Sequence, residues 1–301
     1  MIEQFTHAIG HVGVWHPLFG NAPGTTGVQA AVRAEELGYG SVWVSEGPGG
    51  KDPFVAAALL LAGTSRIAVG TGIASIWSRD AAAMAGSLLA VGDAFPGRFV
   101  AGLGVSHAPL VNARGHEYAK PLTAMRRYLD GMDEAAKSLR GVNPPRLLAA
   151  LRPRMLELAR DRAAGAHPYF VPPEHTARAR EVLGAGKLLI PEQAVVVETD
   201  PARAREIARK HMSMYLRLPN YVDNLRHLGY TDDDVAGGGS DRLADAIVGW
   251  GGPEEVAARV RAHLDAGADH VVIQPLAPKG FDLDDALRQL ALLAPALGLS
   301  S

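Results

Sequence analysis

Residues 66–104, "RIAVGTGIASIWSRDAAAMAGSLLAVGDAFPGRFVAGLG", decide the fold. A short β-branched run (66–73) is followed by an alanine-rich helical pattern, and a second β-rich run (98–104) comes next. A strand, a helix and a further strand in this order are typical of a βαβ unit with parallel strands. Gly70 and Gly72 interrupt the first run, and glycine inside a strand marks a bulge or a close approach to the backbone.

The same alternation of strand and helix recurs along the whole chain. Most of the strand-like runs are apolar without the period-two pattern of a solvent-facing sheet, which is typical of buried parallel strands. Eight such units closing on themselves form a TIM barrel, which we predict over an open doubly wound sheet. The predicted fold class is therefore α/β, a (β/α)8 barrel with one domain over 1–301. The eight predicted strands cover 11–15, 41–46, 66–73, 98–104, 146–151, 167–171, 192–200 and 270–276.

Two connections are too long to be simple turns. Residues 105–118 separate strand four from its helix, and an insertion at about 200–250 lies between strands seven and eight. Long connections in compact domains are often lids or binding loops. Both lie near the carboxyl-terminal face, where TIM barrels carry their active sites.

Composition limits the function classes. The chain has 30 Lys and Arg against 32 Asp and Glu, a formal net charge of −2, and no cysteine. This balance gives no electrostatic footprint for nucleic acid or an anionic membrane, so we expect a small-molecule substrate instead. The absence of cysteine excludes disulfides and thiolate catalysis, and with no apolar run of membrane-spanning length we expect a cytoplasmic protein.

Few side chains at the predicted strand ends could carry chemistry. Glu46 ends strand two, at the face where barrels place catalytic groups. Trp15 and Trp77 follow strands one and three and could border an apolar pocket, although packing in the core is the alternative for each. The sequence contains neither HExxH nor GxSxG, so we predict no metal site and no serine hydrolase.

Two glycine-containing turns could bind phosphate. "GLGVSHAP" (102–109) fails as a dinucleotide fingerprint because His107 stands where a third glycine is needed, yet its backbone N–H groups and the Ser106 hydroxyl could form an anion nest. Gly165 and Ala166 lie between helix five and the sixth predicted strand. Strict barrel topology puts that turn on the amino-terminal side, which by itself argues against a ligand role.

The chain resembles the bacterial luciferase-like monooxygenase superfamily, in its coenzyme F420-dependent branch. The resemblance rests on "LGYGSVWVSEG" (37–47), on residues 66–115 and on "AGADHVVIQPL" (266–276). It implies a luciferase-like TIM barrel with the insertion after strand seven, association as a homodimer, and a non-prolyl cis peptide at Gly72–Ile73 that backs the coenzyme ring.

The resemblance also implies a set of site residues. Relatives that dehydrogenate sugar phosphates carry a histidine after the acidic residue of strand two, where this chain has Gly47, so a catalytic base would come from elsewhere, and His16 is the candidate. Trp15, Trp77 and Tyr221 would border the substrate, together with His16. The residues implied to contact the coenzyme are Glu46, Gly72, Ile73, Ala74, Ser75, Val105, Ser106, His107, Gly165, Ala166 and His167.

We therefore predict a coenzyme F420-dependent oxidoreductase that transfers a hydride between C5 of the deazaflavin and a small organic substrate. Three alternatives stay open at this point. An FMN-dependent monooxygenase and a non-catalytic flavin-binding barrel would use the same turns. A TIM-barrel isomerase or aldolase acting on sugar phosphates would need a lysine or paired carboxylates at the strand ends, and the predicted ends offer Glu46 and Glu198 but no lysine.

Overall fold

A computed structural model describes residues 9–299. Its strands pair in parallel throughout one curved sheet. The strands of this part of the chain are β1 (Val12–Trp15), β2 (Ser41–Val44), β3 (Ala68–Thr71), β4 (Ala74–Ser75), β5 (Phe99–Gly104), β6 (Arg146–Leu148), β7 (Gly165–Ala166), β8 (Leu188–Leu189), β9 (Glu192–Val197), β10 (Val248–Gly251) and β11 (Val271–Pro275).

The sheet closes through one extended segment of chain. The strand order is β10-β9-β11-β1-β2-β3-β5-β6-β7-β8, with β4 also paired to β5. Ile190 and Pro191 are all that separates β8 from β9. The Ile190 N–H donates to the Ala166 carbonyl on one side (3.0 Å), and the Pro191 carbonyl accepts from Val272 N–H on the other (3.0 Å). This segment therefore joins the two ends of the sheet into the predicted barrel.

The helices pack around the sheet and start where the sequence supplies caps. Asp52, Asp80 and Asp200 each accept backbone N–H groups of the first turn of the helix that follows. Such caps satisfy donors that have no partner within the helix. The helices are α1 (Leu18–Asn21), α2 (Thr26–Glu36), α3 (Pro53–Ala62), α4 (Ala81–Ala94), α5 (Ala108–Asn112), α6 (Pro121–Ala136), α7 (Pro153–Arg162), α8 (Pro173–Leu183), α9 (Pro201–Tyr215), α10 (Pro219–Leu228), α11 (Asp232–Val235), α12 (Asp241–Ile247), α13 (Pro253–Asp265) and α14 (Leu283–Ala296).

The prediction for strand six was wrong. The strand is Gly165–Ala166. His167 and Pro168 still form backbone hydrogen bonds to β6 and β9, and the chain turns away at Phe170, which has φ 60°. A left-handed conformation is rare for a bulky residue and ends the extended run. Gly165 and Ala166 thus form the strand itself, and the placement of this pair in a turn on the amino-terminal side was also wrong.

Strand three is split as the resemblance implied. The peptide bond between Gly72 and Ile73 is cis, and it separates β3 from β4. The Gly72 N–H donates to the Val44 carbonyl (2.7 Å), and the Ile73 carbonyl accepts from Glu46 N–H (3.2 Å). The end of β2 therefore holds this loop from both sides.

The segment between β9 and β11 carries α9 to α13 and the strand β10, which pairs with β9. Its apolar side chains form a core that is separate from the main core of the barrel. This separate core includes Ala204, Met212, Leu225 and Leu243. The helices α9 to α12 lie within the predicted insertion at about 200–250, β10 lies at its end, and α13 follows it. The single-domain and homodimer expectations stay predictions.

The glycines of strand three make room for side chains of the barrel interior. A Cβ atom on Gly70 would lie 2.5 Å from the Trp43 indole, and one on Gly72 would lie 2.7 Å from Trp15 Nε1 and 2.9 Å from His167 Nε2. The groups that approach this strand closely are therefore the side-chain rings of Trp43, Trp15 and His167, which lie where the Cβ atoms of Gly70 and Gly72 would be.

The Trp43 ring begins a chain of hydrogen bonds in which each group donates to the next. Trp43 Nε1 donates to Ser41 Oγ (2.8 Å), which lies 2.7 Å from His270 Nε2, while His270 Nδ1 lies 3.0 Å from the Gly10 carbonyl. Because a carbonyl only accepts, Nδ1 carries the proton and Nε2 accepts from the serine. Burial lowers the pKa of His270 to about 4, so it is neutral at pH 7.

Candidate functional site

A cavity of about 390 Å³ opens at the carboxyl-terminal ends of the strands. Aromatic and aliphatic side chains form most of its wall, including Leu110, Met155, Met214 and Leu218. The structure brings nine of the predicted site residues together in its lining, namely Trp15, Glu46, Gly72, Ile73, Val105, Ser106, His107, His167 and Tyr221.

The other predicted site residues lie behind the lining. Ala74 and Ser75 form β4, and Gly165 and Ala166 form β7. Trp77 donates from Nε1 to the Val105 carbonyl (2.8 Å), which ties it to the loop after β5. These residues support the cavity wall from outside.

His16 also lies outside the cavity lining. Its ring packs edge-on against Phe19 and Phe281, with centroids 6.3 and 5.7 Å away, and its Nδ1 accepts from Leu18 N–H (3.3 Å). Burial lowers the pKa of His16 to about 4, and the charge of Asp282 acts in the opposite direction. Its predicted role as a base stays a prediction.

The cavity floor is the loop around the cis peptide. Trp15 Nε1 donates to the Gly72 carbonyl (2.8 Å). The Ile73 side chain lies against Gly104, where an added Cβ would come within 2.7 Å of it. Glycine at position 104 therefore lets Ile73 lie flat against β5, and the floor is held by both neighbouring strands.

Glu46 is held by an ion pair that sequence reasoning missed. Its carboxylate oxygens accept from Arg79 Nη2 (2.7 Å) and Nη1 (3.2 Å), and Oε2 also accepts from Ser75 N–H (2.7 Å). The side chains are 7% and 12% exposed. Arg79 in addition contacts Asp52, the cap of α3. This bidentate pair fixes the carboxylate at the cavity edge.

The loop after β5 meets the segment between β9 and β11 at His107. His107 Nδ1 lies 3.1 Å from Asn220 Oδ1, and its ring centroid lies 5.3 Å from that of Tyr221. Burial lowers the pKa of His107, and the bond to Asn220 raises it by a smaller amount. Ser106, immediately before it, has φ 56°. The loop therefore presents a neutral imidazole to the cavity.

His167 presents an unpaired nitrogen. Its Nδ1 lies 2.7 Å from the Ile190 carbonyl, so Nδ1 carries the proton and Nε2 is an acceptor. No described residue bonds to Nε2, although the side chain is only 1% exposed. The ring stacks on Trp43 with centroids 4.6 Å apart. Burial lowers the pKa of His167 to about 4, which keeps this nitrogen free to accept a hydrogen bond at neutral pH.

A group of buried polar side chains surrounds Tyr169, which itself lines the cavity. Its hydroxyl donates to Gln274 Oε1 (2.7 Å) and lies 2.7 Å from the Tyr215 hydroxyl. Glu192 accepts from Phe170 N–H through Oε2 (3.2 Å). Within the described residues, Glu192 Oε1 and Gln274 Nε2 have no partner. Burial raises the pKa of Glu192 to about 8, so its carboxyl group is mostly protonated at pH 7.

The family of this chain follows from its match to a family model. Residues 11–270 match the model described as luciferase-like monooxygenase. The chain belongs to the luciferase-like monooxygenase family. As a luciferase-like protein it is an oxidoreductase, and the match spans β1 to β10 and ends immediately before β11.

Individual relatives of this luciferase-like chain include reductases and oxygenases. It is 25% identical over 292 residues, covering 82% of this chain and 90% of the relative, to 5,10-methylenetetrahydromethanopterin reductase of Methanolobus tindarius. The solved coenzyme F420-dependent tetrahydromethanopterin reductase of Methanopyrus kandleri is 17% identical with a TM-score of 0.76, covering 96% of this chain and 99% of that one. The oxygenating constituent of 3,6-diketocamphane monooxygenase of Pseudomonas putida, in complex with FMN, is 14% identical with a TM-score of 0.71, covering 97% and 100%.

No three His, Asp or Glu side chains among residues 9–299 are grouped to hold a metal ion. No helix in that range combines the length and hydropathy needed to cross a membrane.

Sequence reasoning missed several residues in and around the cavity. Glu192 stands at the start of the buried strand "EQAVVV", and a carboxylate in a buried run was the available signal. Arg152 follows β6 in "LRPR" and lines the cavity. Tyr169 lay inside the misplaced sixth strand, and nothing local in the sequence connects Arg79 with Glu46.

Proposed function

We propose that this chain is a coenzyme F420-dependent oxidoreductase that transfers a hydride between C5 of the deazaflavin and a small organic substrate. The observation that carries the proposal is the cavity floor at Gly72–Ile73, held by Trp15 and by the end of β2 beneath an apolar opening of about 390 Å³. Pockets for small ligands have this size and this apolar character. The similarity to a reductase over 82% of the chain supports reductase chemistry over oxygenation.

The lining has partners for both parts of a flat deazaflavin ring system. Ile73, Val105 and Ala149 offer apolar surface to its face. A carboxylate has about four acceptor positions, and three on Glu46 are occupied, which leaves one on Oε1. His167 Nε2 is a second acceptor, buried and unpaired within residues 9–299. A polar ring edge with N–H groups would satisfy both.

When bound, the coenzyme would supply the carbon that accepts or donates the hydride. The chain would hold the ring on the Gly72–Ile73 floor and exclude water with the apolar wall. His107 and Tyr221 face the same cavity and could exchange a proton with a substrate oxygen. The low pKa of His107 leaves it neutral and able to accept that proton. His16 has less geometric support for this role, because its ring lies outside the lining.

A comparison of coenzymes tests the proposal. We expect purified protein to bind coenzyme F420, followed by fluorescence, more tightly than FMN or FAD, and to change the F420 absorbance when neutral secondary alcohols or ketones are added. An FMN-dependent monooxygenase is the second candidate, favoured by the likeness to an FMN-bound fold. Protein that is yellow as purified and prefers FMN would support that candidate and contradict the first.

A further inference from the structure

The charged groups of the cavity are unbalanced. Among the described residues, the lining contains one carboxylate, that of Glu46, and one guanidinium, that of Arg152. The carboxylate of Glu46 is already neutralised by Arg79. The remaining charge of the lining is therefore the single positive charge of Arg152, and an ion with no counter-charge attracts anions into the opening.

The Arg152 side chain is available for a ligand. It is exposed, and its guanidinium forms neither an ion pair nor a hydrogen bond with residues 9–299. Its neighbours Arg146 and Arg162 differ, because both pair with Asp133 on the outer side of the barrel. Arg152 thus stands at the rim while the other two stabilise the outer surface.

Its place in the sheet brings Arg152 between two stretches of the lining. It follows β6, which lies between β5 and β7. The loop after β5 contributes Ser106 and His107 to the cavity, and the residue after β7 is His167. An amphiphilic ligand whose ring lies on the apolar floor would place a charged end at the solvent-facing rim, and Arg152 is the cation of that rim.

We propose that Arg152 binds the phosphate group of the coenzyme at the mouth of the cavity. This rests on the proposed function, in that it assumes a phosphate-bearing flavin or deazaflavin. A guanidinium matches phosphate because its planar donors form two parallel, charge-assisted hydrogen bonds. An anionic substrate would use the same chemistry, and the test separates these two sources.

The test uses ligand pairs that differ in phosphate. FMN and riboflavin form one pair, and coenzyme F420 and its phosphate-free deazaflavin riboside form the other. Binding is followed by fluorescence for the unaltered protein, Arg152→Gln and Arg154→Gln. Arg154 is the matched control, since it is exposed, two residues away and outside the lining. Thermal unfolding of each variant checks that the fold is unchanged.

We expect Arg152→Gln to weaken the phosphate-bearing member of each pair by about 10-fold and the phosphate-free member by less than about 2-fold, as for a lost charge-assisted bond at an exposed site. Arg154→Gln should change neither. The proposal is overturned if Arg152→Gln weakens both members of a pair equally or weakens neither, and an anionic substrate is then left as the ligand of Arg152. It is also overturned if Arg154→Gln has the same effect as Arg152→Gln. If no ligand of the four binds to the unaltered protein, the proposed function fails, and the role of Arg152 fails with it.

Discussion

Two polar regions of the barrel interior treat their hydrogen-bonding groups differently. In the core network of Ser41, Trp43 and His270, every side-chain donor has an acceptor, ending at the Gly10 carbonyl. In the cavity-side cluster of His167, Glu192 and Gln274, each residue keeps one buried polar atom without a partner among residues 9–299.

We interpret the paired groups of the core network as stabilising the fold and the unpaired groups of the cavity-side cluster as available to a ligand. Buried polar atoms are nearly always paired in folded proteins, because an unpaired one loses its bonds to water without replacement. Three exceptions next to one cavity are therefore informative about that cavity. The core network contrasts with this cluster, because each of its side-chain donors has an acceptor.

The largest expected effect comes from removing the carboxyl group of the cavity-side cluster. The pKa of Glu192, about 8 in the folded chain, lies well above the value of 4.5 typical of an exposed Glu. Protonated Glu192 thus contributes stability that is fully present below pH 4.5 and is lost as the pH rises through 8. Glu192→Gln keeps the acceptor for Phe170 N–H and removes this loss. We expect the variant to match the unaltered protein at pH 5 and to exceed it by about 3 kcal/mol at pH 8.

Urea unfolding at the two pH values measures this difference. Glu134→Gln is the control, because Glu134 is 74% exposed and its substitution should give the same small change at both pH values. If the stability difference between Glu192→Gln and the unaltered protein does not depend on pH, Glu192 is ionised in the folded chain. The contrast between an unpaired cavity-side cluster and a paired core network would then not hold for Glu192.

A smaller effect is expected from overfilling the core network. Gly70→Ala would place a methyl group 2.5 Å from the Trp43 indole. The indole cannot retreat, because it is fully buried, stacked on His167 and bonded to Ser41. We expect a loss of about 2 kcal/mol in the free energy of unfolding, typical of overpacked cores.

The matched control is Gly86→Ala. A Cβ atom there meets nothing within 4 Å, and the position lies inside α4. Alanine in a helix is preferred over glycine by roughly 1 kcal/mol, so we expect unchanged or raised stability. If both variants lose the same stability, the glycine of strand three is not required by Trp43.

Gly70 and strand six show which features of the fold could be predicted from the sequence and which could not. The alternation of strands and helices follows from local patterns, and the cis peptide at Gly72–Ile73 follows from the resemblance. The structure agrees with both. The sequence could locate the glycines but not the rings that face them, since Trp43 meets Gly70 only through strand pairing.

Strand six failed because its local signal pointed elsewhere. "HPYFV" has the aromatic and β-branched residues preferred in strands, whereas the true strand is two small residues, Gly165 and Ala166. A two-residue strand is stabilised by pairing with its neighbours and leaves no periodic pattern of its own. The same reason hid Tyr169 and the pairing of Arg79 with Glu46, which depend on contacts between distant segments.

The smallest expected effect concerns two tyrosine hydroxyls of the cavity wall. The Tyr221 hydroxyl has no hydrogen-bond partner among residues 9–299, whereas that of Tyr169 bonds to both Tyr215 and Gln274. Tyr221→Phe should change the free energy of unfolding by less than about 0.5 kcal/mol, while Tyr169→Phe should lower it by about 1.5 kcal/mol, since two bonded groups lose a partner. Thermal and urea unfolding measure both. If Tyr221→Phe is as destabilising as Tyr169→Phe, the Tyr221 hydroxyl belongs to the structural network. If Tyr221→Phe leaves the stability unchanged but slows F420 reduction by an accepted alcohol, the Tyr221 hydroxyl faces the substrate. It would then resemble the unpaired groups of the cavity-side cluster and not the paired groups of the core network.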